Sequence, residues 1–224
     1  MIVTRFIFHT NAGEDIVLCE GETLAHIKAL RTKLGESISL RNLRDDFLYI
    51  YVVERYEKRS IVLRLIESKE HIVLGGKISL AWCVVDPKTI EKTLPFLNEL
   101  GVAKLTFILS ARSQRNFRID YDRADRILIS SCEQCGRSKK MELCECSLGD
   151  FLAQNSNAAL LDIGAETPAI EAKNAAFIVG PEGGFSAADY EILSAVPKFH
   201  IPTGTILRSE TAAIYAASIA LTNR

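Results

Sequence analysis

Up to about Ile72 the chain consists of short runs of β-forming residues that are separated by polar or glycine turns. These runs predict strands at TRFIF, DIVLC, ESISLRN, FLYIYVV and SIVLRLIE. One segment differs, because ETLAHIKALRTKLG places Leu24, Ile27, Leu30 and Leu34 on one face of a helix that Gly35 would end. Several short strands with one helix predict a small barrel.

After the Gly75–Gly76 pair, which is typical of a linker, strands alternate with helices. The predicted strands are KISLAWCVV, AKLTFIL, AALLDI, AAFIV and KFHI. Helices are expected from Asp86–Pro87 to Leu100, at DYDRADRILISSCEQC, from Ser186, and from about Leu207. Apolar strands that alternate with helices predict a parallel sheet covered on both faces. The expected fold class is therefore α/β, with a barrel domain over residues 1–72 and a larger domain over residues 73–224.

Composition narrows the classes of protein that fit. The longest apolar runs, such as ISLAWCVV, fall short of the roughly 20 residues that a membrane span needs. The N-terminal residues MIVTRFIF lack the features of a signal peptide. We therefore expect a cytoplasmic protein that has reduced thiols and does not engage a membrane.

The cysteines raise the question of a metal site. Cys132 and Cys135 have the spacing C-x-x-C, and Cys144 and Cys146 have the spacing C-x-C. Four thiolates are a zinc ligand set. However, the first pair lies near the end of a predicted helix, and C-x-C is a poor metal knuckle. We expect ordinary reduced cysteines and no metal.

Charge is unevenly distributed although the net charge is only −1. Residues 101–140 hold nine Lys and Arg against four Asp and Glu, whereas residues 141–200 hold two against nine. The basic segment is a candidate polyanion-binding face. Solvated helix faces would give the same counts.

A glycine-rich loop, GPEGG, follows the predicted strand FIV. In parallel sheets, ligands bind where loops leave the carboxyl ends of strands. Gly180, Gly183 and Gly184 allow close approach of the backbone to a ligand, and Pro181 stiffens the loop. Phosphate-binding loops end in Gly-Lys-Ser/Thr, but this loop carries Glu182 and no lysine. A ligand with an amine or sulfonium charge fits better than a triphosphate or dinucleotide; a tight turn without a ligand is the alternative.

A second candidate loop follows KFHI and reads IPTGTILRSETA. Ile206 and Leu207 are apolar residues in a segment that should be exposed, and such residues can line an adenine pocket. Arg208 and Glu210 stand at the start of an alanine-rich helix. They are candidates for chemistry, although an Arg and a Glu in a first helical turn can also serve only as a cap.

Together GPEGGF and ILRSETA resemble the signature of the SPOUT methyltransferases, and in particular the family of 16S ribosomal RNA uridine-N3 methyltransferases. The resemblance covers the whole chain, since TRFIF and HIKALRTKLGESISL are similar to the PUA-like barrel of that family. It implies a PUA-like N-terminal β-barrel and a SPOUT-type α/β domain with a C-terminal trefoil knot. It also implies a homodimer, S-adenosyl-L-methionine as cofactor, and methylation of uracil N3 at one uridine of 16S rRNA within the assembled 30S subunit.

The resemblance also assigns residues. The cofactor-binding set is Leu161, Gly180, Pro181, Glu182, Gly183, Gly184, Ile201, Gly204, Ile206 and Leu207. Arg208 would stabilise the uracil anion or hold a phosphate, and Glu210 would accept the proton or orient Arg208. Independently of the resemblance, basic residues after the predicted strand FIL and after EQCG could bind RNA phosphates. The candidate RNA-binding residues are Arg5, Arg31, Arg112, Arg115, Arg137 and Lys139.

The chain departs from the family pattern at a few positions. Pro202–Thr203 stand where the family has Leu-Gly, Thr205 replaces a basic or amide residue, and Pro95–Phe96 replace a Gln-Lys pair. The changes at Pro202–Thr203 and Thr205 affect the adenine loop, and the change at Pro95–Phe96 removes a lysine that the family pattern contains. The GPEGG motif is intact. Two other functions remain open at this point: a SPOUT enzyme that acts on another base or on a ribose hydroxyl, and a non-catalytic RNA-binding adaptor.

Overall fold

The structure is a computed structural model that describes residues 5–71, 78–110, 112, 118–166 and 176–222. The chain folds as two compact units. The first comprises Met1–Leu74 and Ile129–Lys140, and the second comprises Gly75–Leu128 and Met141–Arg224. The expected linker at Gly75–Gly76 lies outside the described residues. The grouping of Ile129–Lys140 with the N-terminal residues was not anticipated from the sequence.

The N-terminal unit is built on a curled sheet. Its described elements are β1 (Ile7–Phe8), β2 (Ile16–Cys19), α1 (Gly21–Ala29), β3 (Ser37–Arg41), β4 (Phe47–Tyr56) and β5 (Ile61–Glu70). The strand order is β1-β3-β4-β5-β2, with β1 parallel to β3 and the other pairs antiparallel. Irregular pairing between β4 and β5 at Ile50/Tyr51 and Val53/Arg55 increases the local twist. The predicted strands are confirmed.

The helix α1 is shorter than predicted. It ends at Ala29 rather than near Gly35, and Leu30 and Leu34 are exposed instead of packing on one buried face. Arg31 has a φ of 58°, which is left-handed and cannot continue an α-helix. Within α1, Ile27 is the buried residue.

The C-terminal unit contains a parallel sheet. Its strands are β6 (Ile78–Cys83), β7 (Val102–Ile108), β8 (Glu142–Cys146), β9 (Ala158–Leu161), β10 (Ala176–Val179) and β11 (Lys198–Phe199). Their order is β11-β9-β10-β6-β7-β8, and each neighbouring pair is parallel. The predicted parallel sheet is confirmed, while β8 was missed.

Helices cover both faces of this sheet, as predicted. The helices are α2 (Pro87–Glu99), α3 (Tyr121–Cys135), α4 (Leu148–Gln154), α5 (Ala187–Ile192) and α6 (Ser209–Thr222). One face packs Leu80 and Trp82 against apolar residues of α2 and α6. The opposite face packs Ala81 and Ile178 with residues of α4 and the end of α5. Alternating strand residues therefore enter two separate cores.

Within the described ranges, no helix is long and apolar enough to cross a membrane.

Candidate active site

A cleft of about 410 Å³ opens at the carboxyl ends of β9, β10 and β11. These three strands are neighbours in the parallel sheet, so the loops that follow them meet at the same edge. The lining residues are Leu161, Asp162, Ile163, Val179, Gly180, Pro181, Glu182, Gly184, Phe185, Tyr190, His200, Ile201, Thr203, Thr205, Ile206, Leu207, Ser209 and Ala212. The two loops singled out in the sequence thus form one site.

The loop after β10 is a tight turn. The N–H of Gly184 donates to the carbonyl of Pro181 at 2.9 Å, and Gly184 has a φ of +68°. Gly180 lies against the ring of Phe185, because a Cβ at this position would stand 2.8 Å from the ring carbon Cε2. The turn therefore needs glycine at Gly180 for space and at Gly184 for backbone conformation.

The short helix α5 fixes where the turn ends. Ser186 is its N-cap and forms a reciprocal capping pair with Asp189. The hydroxyl of Ser186 accepts from the N–H of Asp189 at 3.2 Å, and the Asp189 carboxylate accepts from the N–H of Ser186 at 2.9 Å. The helix brings Tyr190 to the cleft, where its ring makes an edge contact with Phe185 at 5.9 Å between centroids.

Asp162 and Tyr190 form a polar side of the cleft. The Asp162 carboxylate lies 3.8 Å from Nζ of Lys198, and that Nζ lies 4.9 Å from the centroid of the Tyr190 ring. Burial and then the negative charge of Asp162 raise the pKa of Tyr190 above its usual value. Tyr190 is therefore a neutral hydrogen-bonding group near pH 7.

The loop after β11 supplies the apolar side. Thr203 shapes it, since its N–H donates to the carbonyl of Ile201 at 2.7 Å and its hydroxyl donates to the carbonyl of Thr205 at 2.6 Å. Ile206 is 78% exposed although it is large and apolar. Such exposure at the margin of a cleft suits contact with a bound ligand.

Ser209, the first residue of α6, connects the two loops to the sheet. Its hydroxyl donates to the carbonyl of Gly180 at 2.8 Å and accepts from Nε1 of the buried Trp82 at 2.8 Å. The start of α6 is thereby held beside the glycine turn. This link was not anticipated from the sequence.

The charge of the lining selects the kind of ligand. Asp162 and Glu182 are acidic, and the described residues that line the cleft include no lysine or arginine. Nδ1 of His200 is buried and has no hydrogen-bond partner within the described part of the chain. A bound molecule or a water is the usual partner of such an atom. The site suits a small ligand that carries positive charge and an apolar group.

Most of the residues expected to bind a cofactor converge here. Eight of them line the cleft, namely Leu161, Gly180, Pro181, Glu182, Gly184, Ile201, Ile206 and Leu207. Gly183 and Gly204 stand in the same two loops without lining the cleft.

The proposed catalytic pair lies beside the cleft rather than in its lining. Nη1 of Arg208 is 4.0 Å from Oε1 of Glu210, and the Arg208 side chain is 83% exposed. Arg208 stands between the lining residues Leu207 and Ser209, so its side chain begins at the cleft margin.

The candidate RNA-binding residues differ in their exposure. Arg5, Arg31 and Arg112 are exposed, and Lys139 is half-exposed and pairs with Asp46. Arg137 is only 6% exposed, and burial lowers its pKa. That burial argues against a contact between Arg137 and an RNA phosphate. Arg115 lies outside the described residues.

Sequence reasoning missed the residues that reach the cleft from packed elements. Phe185, Tyr190 and Ser209 belong to α5, α6 or the segment before α5, and their direction depends on how the helices pack. Asp162 could have been predicted as a cleft residue from the sequence, because it directly follows Leu161 at the end of a strand. No spacing to another ligand-type residue in the sequence indicated that His200 belongs to a binding site.

Comparison with known proteins gives consistent findings. The sequence model of the RNA methyltransferase domain matches residues 74–221. A Helicobacter pylori protein named ribosomal RNA small subunit methyltransferase E is 40% identical over 223 residues, which cover 96% of this chain and 99% of the relative. An Aquifex aeolicus protein of the same name is 28% identical over 225 residues, and the match covers 96% of this chain and 97% of that relative.

A solved structure from Legionella pneumophila, described as a methyltransferase in complex with the bound cofactor S-adenosylmethionine, is also similar. Its TM-score is 0.80 at 28% identity, and the match covers 98% of each chain.

Proposed function

The chain belongs to the RNA methyltransferase family, and from this membership we propose that it transfers a methyl group from S-adenosyl-L-methionine to N3 of a specific uridine in 16S rRNA. The observation that carries the proposal is the cleft where the GPEGG turn and the segment Ile201–Leu207 meet over the sheet. Its volume of about 410 Å³ is within the range of small-molecule sites.

The residues of the cleft fit this cofactor. Glu182 and Asp162 suit its sulfonium and ammonium charges, and the lining has no lysine or arginine for a triphosphate among the residues that the structure describes. The apolar residues Leu161, Ile206 and Leu207 would contact the adenine. When bound, the cofactor supplies a methyl group on an already reactive sulfonium. The protein therefore needs mainly to position the acceptor nitrogen and assist its deprotonation.

Arg208 is proposed to stabilise the negative charge that uracil gains when N3 loses its proton. Its side chain begins at the cleft margin between Leu207 and Ser209 and is largely exposed, so the guanidinium is available to an incoming base. Glu210, 4.0 Å away and mostly buried, orients Arg208 or accepts the proton. Since N3 lies on the pairing edge, the uridine must be unpaired or flipped out of its stack.

The finer architecture follows from the resemblance. We propose that residues 1–72 act as a PUA-like RNA-binding domain, with the exposed Arg5 and Arg31 contacting rRNA. Residues 73–224 are proposed as a SPOUT domain with a C-terminal trefoil knot. The link from Ser209 to the Gly180 carbonyl supports a C-terminal segment held beside the glycine turn.

The proposed assembly is a homodimer that acts on the 30S subunit in the cytoplasm. Ile192 and Leu221 of the C-terminal unit are large apolar side chains that are exposed, and a dimer interface would bury such side chains. Sedimentation equilibrium at micromolar concentration tests the dimer.

The decisive experiment is methyl transfer from labelled S-adenosylmethionine to purified small subunits from cells that lack the gene. We expect N3-methyluridine at one position, identified by nucleoside analysis and mapped by primer extension. Label in another base or in a ribose would assign a different SPOUT activity. Cofactor binding without transfer to any rRNA or tRNA would indicate another substrate, and absence of cofactor binding would indicate an adaptor.

Replacing Arg208 tests the proposed chemistry. Arg208→Ala should reduce the rate of methyl transfer by at least about a hundredfold, because the developing charge on uracil loses its counter-charge. The affinity for S-adenosylmethionine, measured by calorimetry, should stay within about twofold, since Arg208 does not line the cleft. Normal methylation by this variant would remove Arg208 from the mechanism.

A further inference from the structure

Arg112 makes a contact that its expected role as an RNA ligand does not explain. Its Nη1 donates to the carbonyl of Gly183 at 2.8 Å. Gly183 lies within the turn whose other residues, Pro181, Glu182 and Gly184, line the cleft. The guanidinium thus binds the outer side of the proposed cofactor loop.

The stem of the arginine also packs against this turn. A Cβ placed on Gly183 would be 3.8 Å from Cδ and 3.9 Å from Cβ of Arg112, which is ordinary van der Waals contact. The side chain therefore runs along the turn before its guanidinium reaches the carbonyl. A hydrogen bond from a charged donor is stronger than one from a neutral donor.

The positive charge of Arg112 also reaches the cleft. The pKa of Tyr190 is raised mainly by burial and by Asp162, and Arg112 opposes that rise. Tyr190 lines the cleft on the side of α5. Arg112 is therefore close enough to influence the site without belonging to its lining.

We propose that Arg112 is a positioning residue that holds the Pro181–Gly184 turn in the conformation that binds the cofactor, rather than a phosphate ligand. The inference rests on the proposed function in so far as the turn is taken to bind S-adenosylmethionine. Arg112 acts through its hydrogen bond to the Gly183 carbonyl on one face of the turn. The opposite face of the turn, which lines the cleft, is therefore already ordered before the cofactor binds. Pre-ordering a loop raises affinity because less conformational entropy is lost on binding.

Calorimetric titration of RNA-free protein with S-adenosylmethionine tests this role. Arg112→Ala should weaken cofactor affinity by about tenfold, the size expected for the loss of one charge-assisted hydrogen bond. Arg112→Lys keeps the charge without the planar fork and should recover part of the loss. Arg126→Ala is the matched control, because Arg126 is an exposed arginine of α3 that does not line the cleft.

Kinetics and hydrogen exchange separate positioning from general damage. In Arg112→Ala the KM for S-adenosylmethionine should rise, while kcat at saturating cofactor, the KM for the small subunit and the Tm should be unchanged. The amides of the segment 182–185 should exchange faster in the cofactor-free variant than in the wild type. This last readout does not depend on the identity of the ligand.

Two results would overturn the inference. One is an unchanged cofactor affinity together with unchanged exchange of the turn amides. The other is a loss confined to RNA affinity with a lower salt dependence, which would identify Arg112 as a phosphate contact. Failure of the proposed function would give a different result, because the wild type itself would not bind S-adenosylmethionine. In that case, faster exchange of the turn amides in Arg112→Ala would still support the positioning role.

Discussion

The three glycines of the GPEGG turn serve different physical purposes. At Gly180 a side chain would collide with Phe185, at 2.8 Å from the ring. Gly184 has open space around it but a φ of +68°, which strains other residues. Gly183 has neither constraint, since a Cβ would only touch Arg112 at ordinary distance. One sequence motif therefore contains a steric, a conformational and a permissive position.

Alanine substitutions should rank accordingly. Gly180→Ala should lower the free energy of unfolding by about 1–3 kcal/mol, because it displaces the buried Phe185. Gly184→Ala should cost about 1 kcal/mol through its left-handed backbone. Gly183→Ala should be nearly neutral in stability and serves as the control. Urea unfolding of the three variants gives the ranking, and a large loss at Gly183 would contradict this reading of the turn.

Basic residues show what the sequence alone could not predict. Arg137 and Arg112 were both expected to contact phosphate, because each follows a predicted strand or helix in a basic segment. Arg137 is buried, and Arg112 donates to the Gly183 carbonyl. A charge count identifies where basic residues occur along the chain. Only the packing of distant segments decides whether each faces solvent, a carbonyl or the interior.

At the scale of elements, the hydrogen bonds of Ser209 join three parts of the C-terminal unit. The hydroxyl connects Trp82 in β6, the Gly180 carbonyl after β10, and the first turn of α6. The indole N–H of Trp82 is buried, so it needs this acceptor. The hydroxyl therefore adds a specific polar anchor for the first turn of α6 to the apolar packing of that helix against the sheet.

Removing that hydroxyl should affect both stability and binding. Ser209→Ala should lower the free energy of unfolding by about 1–3 kcal/mol, because a buried donor loses its partner. It should also weaken S-adenosylmethionine binding, since the Gly180 carbonyl and the Leu207 side of the cleft lose their common anchor. Thermal unfolding and calorimetry measure the two effects.

A control on the same helix is Ser218→Ala. The hydroxyl of Ser218 donates to the carbonyl of Ile214 at 2.9 Å, which is a local bond within α6. Its loss should change stability by less than about 0.5 kcal/mol and leave cofactor affinity unchanged. Equal effects of the two substitutions would show that the connection between elements is unimportant.

Elements with a clear period were predictable, and short ones were not. The strands β4, β5 and β7 and the helices α2 and α3 follow long apolar patterns and were located correctly. The strand β8 was missed because its glutamates and cysteines suggested a metal motif, and α4 was missed because seven residues hold too little periodicity. The cleft was located because loops after parallel strands converge, whereas the side chains from α5 and α6 depended on packing.

At the scale of the whole molecule, the N-terminal unit is not a continuous piece of sequence. Residues Ile129–Lys140 belong to it. Cys132 is buried in a cluster with Phe6, Leu43 and Leu48, and Glu133 accepts from the N–H of Phe8 at 2.8 Å. A boundary drawn from local pattern could not separate this segment, because α3 runs without a break from Tyr121 across Ile129 to Cys135.

The composition of this unit predicts how a truncated protein behaves. A fragment of residues 1–74 should lack a stable fold, because the cluster of Phe6, Leu43 and Leu48 loses the apolar cover of Ile129 and Cys132. The bonds of Asp46 to Ser138 and Lys139 are lost as well. Fusing residues 129–140 to it through a flexible linker should restore a cooperative thermal transition and a dispersed amide spectrum. A segment this short is barely stable as an isolated helix, so helix formation by the fused segment would show that it packs against residues 1–74. A scrambled 12-residue segment is the control, and a 1–74 fragment that melts cooperatively by itself would show that the second segment is dispensable.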